Sequence, residues 1–513
     1  MEGGGTVSDT RPRWPNQLRA YDGTTAAIGR GVTRLCVTSP TGTGKTTMMT
    51  DVIEHYRNEG KRISLYTVRR MLYSQIARNL ERDGFTFGRI ASGHDKSLAE
   101  PIQLCMMQTD VSRRKRGFDS PPADIVIADE YHVFGGPTFQ DVIQSQVTNG
   151  ASLVAYTATP IDLQNIDELL IAAGTREMIQ LGSLVPAHTF APDEPDLRHI
   201  KKYQVGEDIS DAENHKAIMR PGVFARVIGA WKAHNPDGLP TILFGPDVAG
   251  SKFFAEEFAK AGIRSAHIDG EDVWLDGETY ENNQDMRDQV ADLSKSGEVK
   301  VVCNRFVLRE GIDWPWIQCG IFATVFGALS SFIQSGGRLL RAYPGKDRAI
   351  VLDHGGNWHR HGSLNEDREW TLESSNRRMV GERQDKLREK REDEPIVCPK
   401  CNKVRSHGRT CTNCGYMAVK KSRVVIQKDG TLKEMTGDIY KPRYTKREAN
   451  TADLWKQMYF RARSQKWAAT FRQAEAMFVV ENHYWPPRDL PLMPKDPADM
   501  WRKVADVPRE ALL

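Results

Sequence analysis

The chain has 513 residues, enough for three or four domains that each bury a full core. Hydrophobic residues make up 39% and charged residues 27%, an ordinary globular balance, and no run of 18 apolar residues marks a membrane-spanning helix. The net charge of +4 hides an asymmetry: 23 Lys and Arg face 12 Asp and Glu from residue 395 onward, against 48 and 55 before it. A basic appendage on a mildly acidic body predicts a tail that meets phosphates.

Met1 to Thr10 is Gly-rich and polar and lacks the apolar core of a signal peptide, so a cytoplasmic enzyme is expected. Short apolar runs at Leu35–Thr38, Ile63–Thr67, Ile125–Ala128 and Leu153–Tyr156 then alternate with helical patterns such as Thr46–Asn58 and Tyr73–Asp83. That alternation predicts a parallel sheet of βαβ units. A polar connection follows, and a second series of runs begins at Thr241–Phe244 and continues through Ser265–Ile268, Lys300–Cys303, Ile317–Phe322 and Ala349–Asp353. The predicted division is a first α/β domain over 1–176, a connection over 177–217 and a second α/β domain over 218–376. A charged helical linker (377–394), a cysteine cluster (395–425) and a basic, Trp-rich C-terminal region (426–513) complete it.

Ser39-Pro40-Thr41-Gly42-Thr43-Gly44-Lys45-Thr46 lies between a predicted strand and a predicted helix, the context of a phosphate-binding loop. Its glycines let backbone N–H groups wrap phosphate oxygens, and the helix N-terminus adds its positive dipole. Gly42, Thr43, Gly44, Lys45, Thr46 and Thr47 are the expected nucleotide contacts, with Lys45 on the β- and γ-phosphates and Thr46 on Mg²⁺. Downstream, the run Ile125–Ala128 ends in Asp129-Glu130-Tyr131-His132. Two adjacent carboxylates at a strand tip suit a metal-bound nucleotide, Asp129 holding Mg²⁺ through water and Glu130 deprotonating the attacking water. His132 is read either as a γ-phosphate sensor or as a packed or surface histidine.

The loop SPTGTGKT, the box DEYH and Thr157-Ala158-Thr159-Pro160 resemble motifs I, II and III of DEAD/DEAH-type superfamily 2 helicases. Val307-Leu308-Arg309-Glu310-Gly311-Ile312-Asp313 resembles motif V, and Gln334-Ser335-Gly336-Gly337-Arg338-Leu339-Leu340-Arg341 resembles motif VI. The resemblance runs from about residue 11 to 353 and is nearest to the branch of XPB-like and UvsW-like helicases and restriction-enzyme motors, of compact phage or prophage type. It implies two tandem RecA-like domains that hydrolyse ATP between them. Arg341 would be an arginine finger and Arg338 a second γ-phosphate contact, two planar cations on one helical face. Thr157, Thr159 and Gln334 would couple hydrolysis to domain movement. Gln17 stands where the family carries an adenine-reading Gln, and Gly311 and Asp313 would approach the nucleotide across the cleft. Arg309 departs from the Thr of many relatives and could meet a nucleic-acid phosphate instead. Thr67, Arg69, Arg70, Gln108 and Thr109 occupy the family's nucleic-acid-contact regions, and Arg113 to Arg116 is read as either a contact loop or a solvated one.

Cys398, Cys401, Cys411 and Cys414 form C-x₂-C-x₉-C-x₂-C, two knuckles that can present four thiolates to a structural Zn²⁺, with iron–sulfur ligation the alternative. The other four, Cys36, Cys105, Cys303 and Cys319, sit in apolar runs and read as buried thiols. The Trp-rich region reads as a small helical core. The expected enzyme is a monomeric ATP-, Mg²⁺- and Zn²⁺-dependent motor on nucleic acid, DNA before RNA, working with replication or recombination proteins. A non-unwinding translocase and a nucleic-acid-binding scaffold with weak ATPase are the alternatives.

Overall fold

The computed structural model describes residues 13–94, 98–192, 209–219, 221–305, 314–376, 378–379, 396–397, 404–405 and 432–435. The first half builds a seven-stranded sheet from β1 (Arg34–Thr38), β2 (Ile63–Thr67), β3 (Gly88–Ile90), β4 (Ile102–Met106), β5 (Ile125–Asp129), β6 (Ser152–Thr157) and β7 (Glu168–Ile171). Their order is β3-β4-β2-β5-β6-β1-β7, and every pairing is parallel. Period-two alternation sends Leu35, Val37, Leu65 and Ile127 into one apolar cluster, and Cys36, Tyr66, Val126 and Ala128 into another on the opposite face. The helices Lys45–Asn58 and Arg70–Arg82 cover the first face, and Pro137–Thr148 covers the second. β3, β4 and β7 are additions to the four strands read from the sequence.

The second half builds a nine-stranded sheet. Its strands are β8 (Ala187–Ala191), β9 (Thr241–Phe244), β10 (Ser265–Ile268), β11 (Asp272–Leu275), β12 (Glu278–Glu281), β13 (Val301–Asn304), β14 (Cys319–Phe322) and β15 (Ala349–Asp353). After them come β16 (Ile396–Val397), β17 (Val404–Arg405) and β18 (Lys433–Glu434), of which β18 completes the sheet. The order is β12-β11-β10-β13-β9-β14-β15-β8-β18, with the six strands β10 to β8 parallel and β12, β11 and β18 antiparallel at the edges. The sheet is therefore mixed, where a purely parallel one was expected. The β11–β12 hairpin turns through Asp276 (φ 54°) and Gly277 (φ 94°), the left-handed pair of a type I′ turn.

Two segments read as lying outside the second α/β domain contribute to its sheet. β8 falls within the polar connection yet pairs with β15, and β18 falls in the C-terminal region yet pairs with β8. Leu432, just before β18, joins the same apolar cluster as Ile218, Leu243 and Val301. Cys36, Cys105, Cys303 and Cys319 are fully buried free thiols whose pKa values burial pushes up, as expected of core cysteines. β16 and β17 pair antiparallel across the segment that holds Cys398 and Cys401. All four clustered cysteines, the charged linker from 380 to 394 and the Trp-rich region lie outside the described residues. Among the described residues no helix is long and apolar enough to cross a membrane, and no group of three or more His, Cys, Asp or Glu is placed to hold a metal.

Candidate active site between the two sheets

The phosphate-binding loop leaves the C-terminal end of β1 and enters the helix Lys45–Asn58. Gly42 and Gly44 both sit at φ 88°, a conformation that strains any side-chain-bearing L residue. Gly44 is the N-cap, so no side chain caps the helix and its first-turn N–H groups are left for a ligand. The loop is braced from inside. Thr43 Oγ1 donates to Pro40 O at 2.7 Å and lies 2.7 Å from Ser39 Oγ. Asn16, on the helix Pro15–Gly29, donates to Ser39 Oγ (3.2 Å) and Thr43 O (3.1 Å). The Thr43 side chain is thus committed to the loop, and Asn16 is a bracing residue that sequence reading passed over for its neighbour. Gln17 accepts from Trp14 N at 3.0 Å, and its Nε2 lies 2.1 Å from where a Cβ on Gly44 would stand. Gln17 therefore abuts the loop itself. Arg13 clamps this helix to the next through a buried bidentate pair with Asp51 (2.7 and 2.5 Å).

Asp129 ends β5, and Glu130 follows at φ 53°, a left-handed conformation for a residue with a Cβ. Burial raises the Asp129 pKa, and the Glu130 carboxylate adds to the rise while Lys45 opposes it. The reverse balance holds at Lys45: burial lowers its pKa, Glu130 and Asp129 oppose, and the Arg338 and Arg341 cations lower it further. Lys45, the acidic pair and the two arginines therefore share one electrostatic site. Glu130 Oε2 and Thr41 Oγ1 are buried there without a hydrogen-bond partner. A lysine, a carboxylate oxygen that accepts no hydrogen bond and has only His132 Nδ1 near it (3.5 Å), a free hydroxyl and uncapped helix N–H groups together fit a magnesium nucleotide.

The arginines come from the helix Leu329–Leu339 and the residues just after it. A Cβ on Gly337 would stand 2.7 Å from Thr41 Cβ, and one on Gly42 would stand 2.7 Å from Arg341 Cγ. Gly337 is what lets this helix lie on the phosphate-binding loop. Three residues earlier on the helix, Gln334 Nε2 donates to His132 Nε2 (2.8 Å) and Thr159 Oγ1 (3.3 Å). With Nε2 accepting, the proton of a neutral His132 sits on Nδ1, which lies 3.0 Å from Thr157 Oγ1. Thr159 N donates to that same hydroxyl at 3.1 Å. His132 is thus a link between motifs II, III and VI, and both its ring nitrogens are occupied by protein partners.

At the C-terminal rim of the first sheet, Thr67 pairs with Met106, which brings the two expected nucleic-acid segments side by side. Gln108 ties them by donating to Val68 O at 2.9 Å. Thr67 is buried, Thr109 half-buried, and Arg69 and Arg70 are exposed. In the basic run Arg113 is spent internally, near Asp110 (3.9 Å) and over the Phe118 ring (5.6 Å). Arg309, Gly311 and Asp313 lie outside the described residues.

Comparison with known proteins agrees with this arrangement. Residues 12–162 match the family model described as the type III restriction enzyme, res subunit. A 51.5 kDa protein of a Lactococcus phage is 24% identical over 340 residues, covering 65% of this chain and 68% of the phage protein. A Saccharomyces cerevisiae protein named as an ATP-dependent helicase, IRC3, is 24% identical over 359 residues, covering 66% of this chain and 50% of its own length. The fold is similar to that of the type ISP restriction-modification enzyme LlaBIII, solved bound to DNA (TM-score 0.50, 18% identity, 67% of this chain and 27% of that one). It is equally similar to a fragment of a type I restriction enzyme HsdR subunit from Vibrio vulnificus (TM-score 0.50, 17% identity, 69% and 66%). The matched family model over residues 12–162, the two relatives and the loop-to-helix cleft support one reading: the chain is similar to ATP-hydrolysing superfamily 2 helicases of the branch that includes the restriction-enzyme motors.

Proposed function

We propose that this chain is a translocase or helicase that moves along DNA by hydrolysing ATP between residues 1–176 and 218–376. The observation that carries the proposal is the linkage of Gln334 to His132 and Thr159, because it joins the acidic box to the arginine helix of the other half. A change in the phosphate held at one side is thereby felt as a displacement of the other.

In this reading Lys45 and the N–H groups of Gly42 to Thr47 hold the phosphates, and Gln17 stands at the loop's edge toward the base. Thr46 and Asp129 would hold Mg²⁺, which supplies charge neutralisation on the β- and γ-phosphates. Glu130 accepts the proton of a water attacking the γ-phosphorus as the bond to the ADP oxygen breaks, and its Oε2, which accepts no hydrogen bond and lies 3.5 Å from His132 Nδ1, is the atom for that task. Arg341 and Arg338 meet the charge that spreads over the transferring group. Thr67, Arg69, Arg70, Gln108, Thr109 and Arg309 are proposed to contact the nucleic-acid backbone, which favours movement along any sequence. DNA is favoured over RNA because LlaBIII, a fold neighbour at the threshold of similarity, is bound to DNA. A Zn²⁺ on Cys398, Cys401, Cys411 and Cys414 is proposed from their spacing.

The test is steady-state ATPase without nucleic acid and with single-stranded DNA, forked DNA and RNA, on the parent chain and Glu130→Gln. Stimulation by a DNA form, lost by about 10²–10⁴-fold in the variant, is expected. Equal activity with every ligand would sink the motor assignment, and stimulation by RNA alone would overturn the choice of track.

A further inference from the structure

Beyond β15, residues 363–376 run back from the second half to the first. Asn365 anchors the start on β8, accepting from Ala187 N (2.7 Å) and donating to Ala187 O (2.9 Å). Asp367 then accepts from Arg176 N at 2.9 Å, on the helix Thr175–Gln180 of the connection between β7 and β8. Gly174 lies directly beneath it, and a Cβ there would stand 2.6 Å from Asp367 Oδ1 and displace the carboxylate. Ser374 O accepts from Asp162 N at 2.8 Å. Asp162 follows the Thr157–Pro160 motif by two residues and is held at φ 54°. Finally, Asn376 Oδ1 accepts from Leu329 N (2.9 Å) and Ser330 N (3.4 Å), while its Nδ2 donates to Asp162 Oδ2 (3.4 Å).

Leu329 and Ser330 open the arginine helix, whose own N-cap residue, Ala328, has no side chain able to cap it. Asn376 supplies that cap from 46 and 47 residues away and reaches the other half with the same amide. Together with the Gln334–Thr159 bond, this closes a ring: Thr159, Asp162, Asn376, Leu329, Gln334 and back to Thr159. A rigid helix held to the motif III segment at two points one and a half turns apart can neither slide nor rotate about its axis. Both movements would carry Arg338 and Arg341 off the phosphate-binding loop.

We propose that Asn376 is a positioning residue for hydrolysis: by bridging Asp162 and the N-terminus of the arginine helix, it fixes the helix in the register that presents Arg341 to the transferring phosphoryl group. The inference rests on the role proposed above for Arg341. Asn376→Asp separates the two functions of the amide. A carboxylate still caps Leu329 N and Ser330 N, and suits a helix N-terminus, but it confronts the Asp162 carboxylate. The double variant D162N/N376D restores a donor–acceptor pair across the same gap with the partners exchanged. A role limited to capping the helix would leave N376D as active as the parent.

In the full chain with saturating DNA, N376D is expected to lower kcat for ATP about tenfold, with KM for ATP and the Kd of a fluorescent ATP analogue changed by less than about twofold. D162N/N376D is expected to recover kcat to within about threefold of the parent, with Asp162→Asn alone as its reference. Should N376D melt below the assay temperature, Asp162→Gly reads the same loss, because it leaves the Asn376 cap on Leu329 and Ser330 in place, removes the partner across the gap and suits the left-handed backbone at that position. Parent-like kcat in N376D or D162G, or a double variant no better than N376D, would overturn the inference. Arg341→Ala is run alongside: if it retains parent kcat, the underlying hydrolysis assignment fails instead, whereas its loss together with an active N376D removes only the bridge.

Discussion

Lys346 carries the plainest consequence of a single buried charge. It is 7% exposed, and its Nζ donates to two backbone carbonyls, Ile317 O (2.5 Å) and Pro315 O (3.2 Å). Burial, reinforced by the Arg341 cation, pushes its pKa down to about 7. In the unfolded chain a lysine binds its proton up to about pH 10.4, so between that value and the folded one the unfolded state holds more protons. Stability contributed by this residue therefore falls as pH drops from about 10 to about 7 and is constant below. Thermal melts across that interval are expected to show a rising Tm in the parent and a flatter profile in Lys346→Met; identical profiles would refute the assignment. Neither Lys346 nor Asn16 nor Asn376 was legible beforehand. Each is an isolated polar residue whose meaning lies in partners about 25 to 30 or more positions away, and no local pattern announces such a pairing. Lys45, Asp129 and Arg341 were legible because each follows an apolar run or sits in a motif whose spacing is dictated by the phosphates.

The arginine helix shows how an element can be shaped by two different neighbours at adjacent positions. A Cβ on Gly336 would stand 2.3 Å from a methyl of Leu364 within its own half, whereas one on Gly337 would meet Thr41 of the other half at 2.7 Å. Alanine at either position gains helix propensity of about 1 kcal/mol, so a loss must come from the contact. Gly337→Ala is expected to lower kcat about tenfold with little change in Tm, and Gly336→Ala to lower Tm through its core instead. Steady-state kinetics and melting on both variants decide it; an active G337A would show that the helix tolerates a wider gap at the loop. At this scale the central strands were readable as fully buried apolar runs. The outer strands were not: β12, at one edge, has four exposed residues, and β8 (AHTFA), second from the other, alternates buried with half-buried positions inside a polar stretch. Edge strands bury one face or none, so their sequences lose the apolar continuity that betrays a central one.

For the whole molecule, the four clustered cysteines set a stoichiometry. On the proposed Zn²⁺ site, metal analysis of the purified chain is expected to give one zinc per molecule, lost in Cys398→Ser. A zinc-free parent, or iron in its place, would overturn that reading. A wider consequence follows from residues 363–376. The two halves are joined covalently by the chain that leaves β7 and enters β8, and again by Ser374 O on Asp162 N. A door hung on one pin can swing in any direction, but a door hung on two can only turn about the line between them. On the proposed function, releasing ADP and admitting ATP would turn the halves about the line between these joints, and any step along the track would inherit its direction from where they are set.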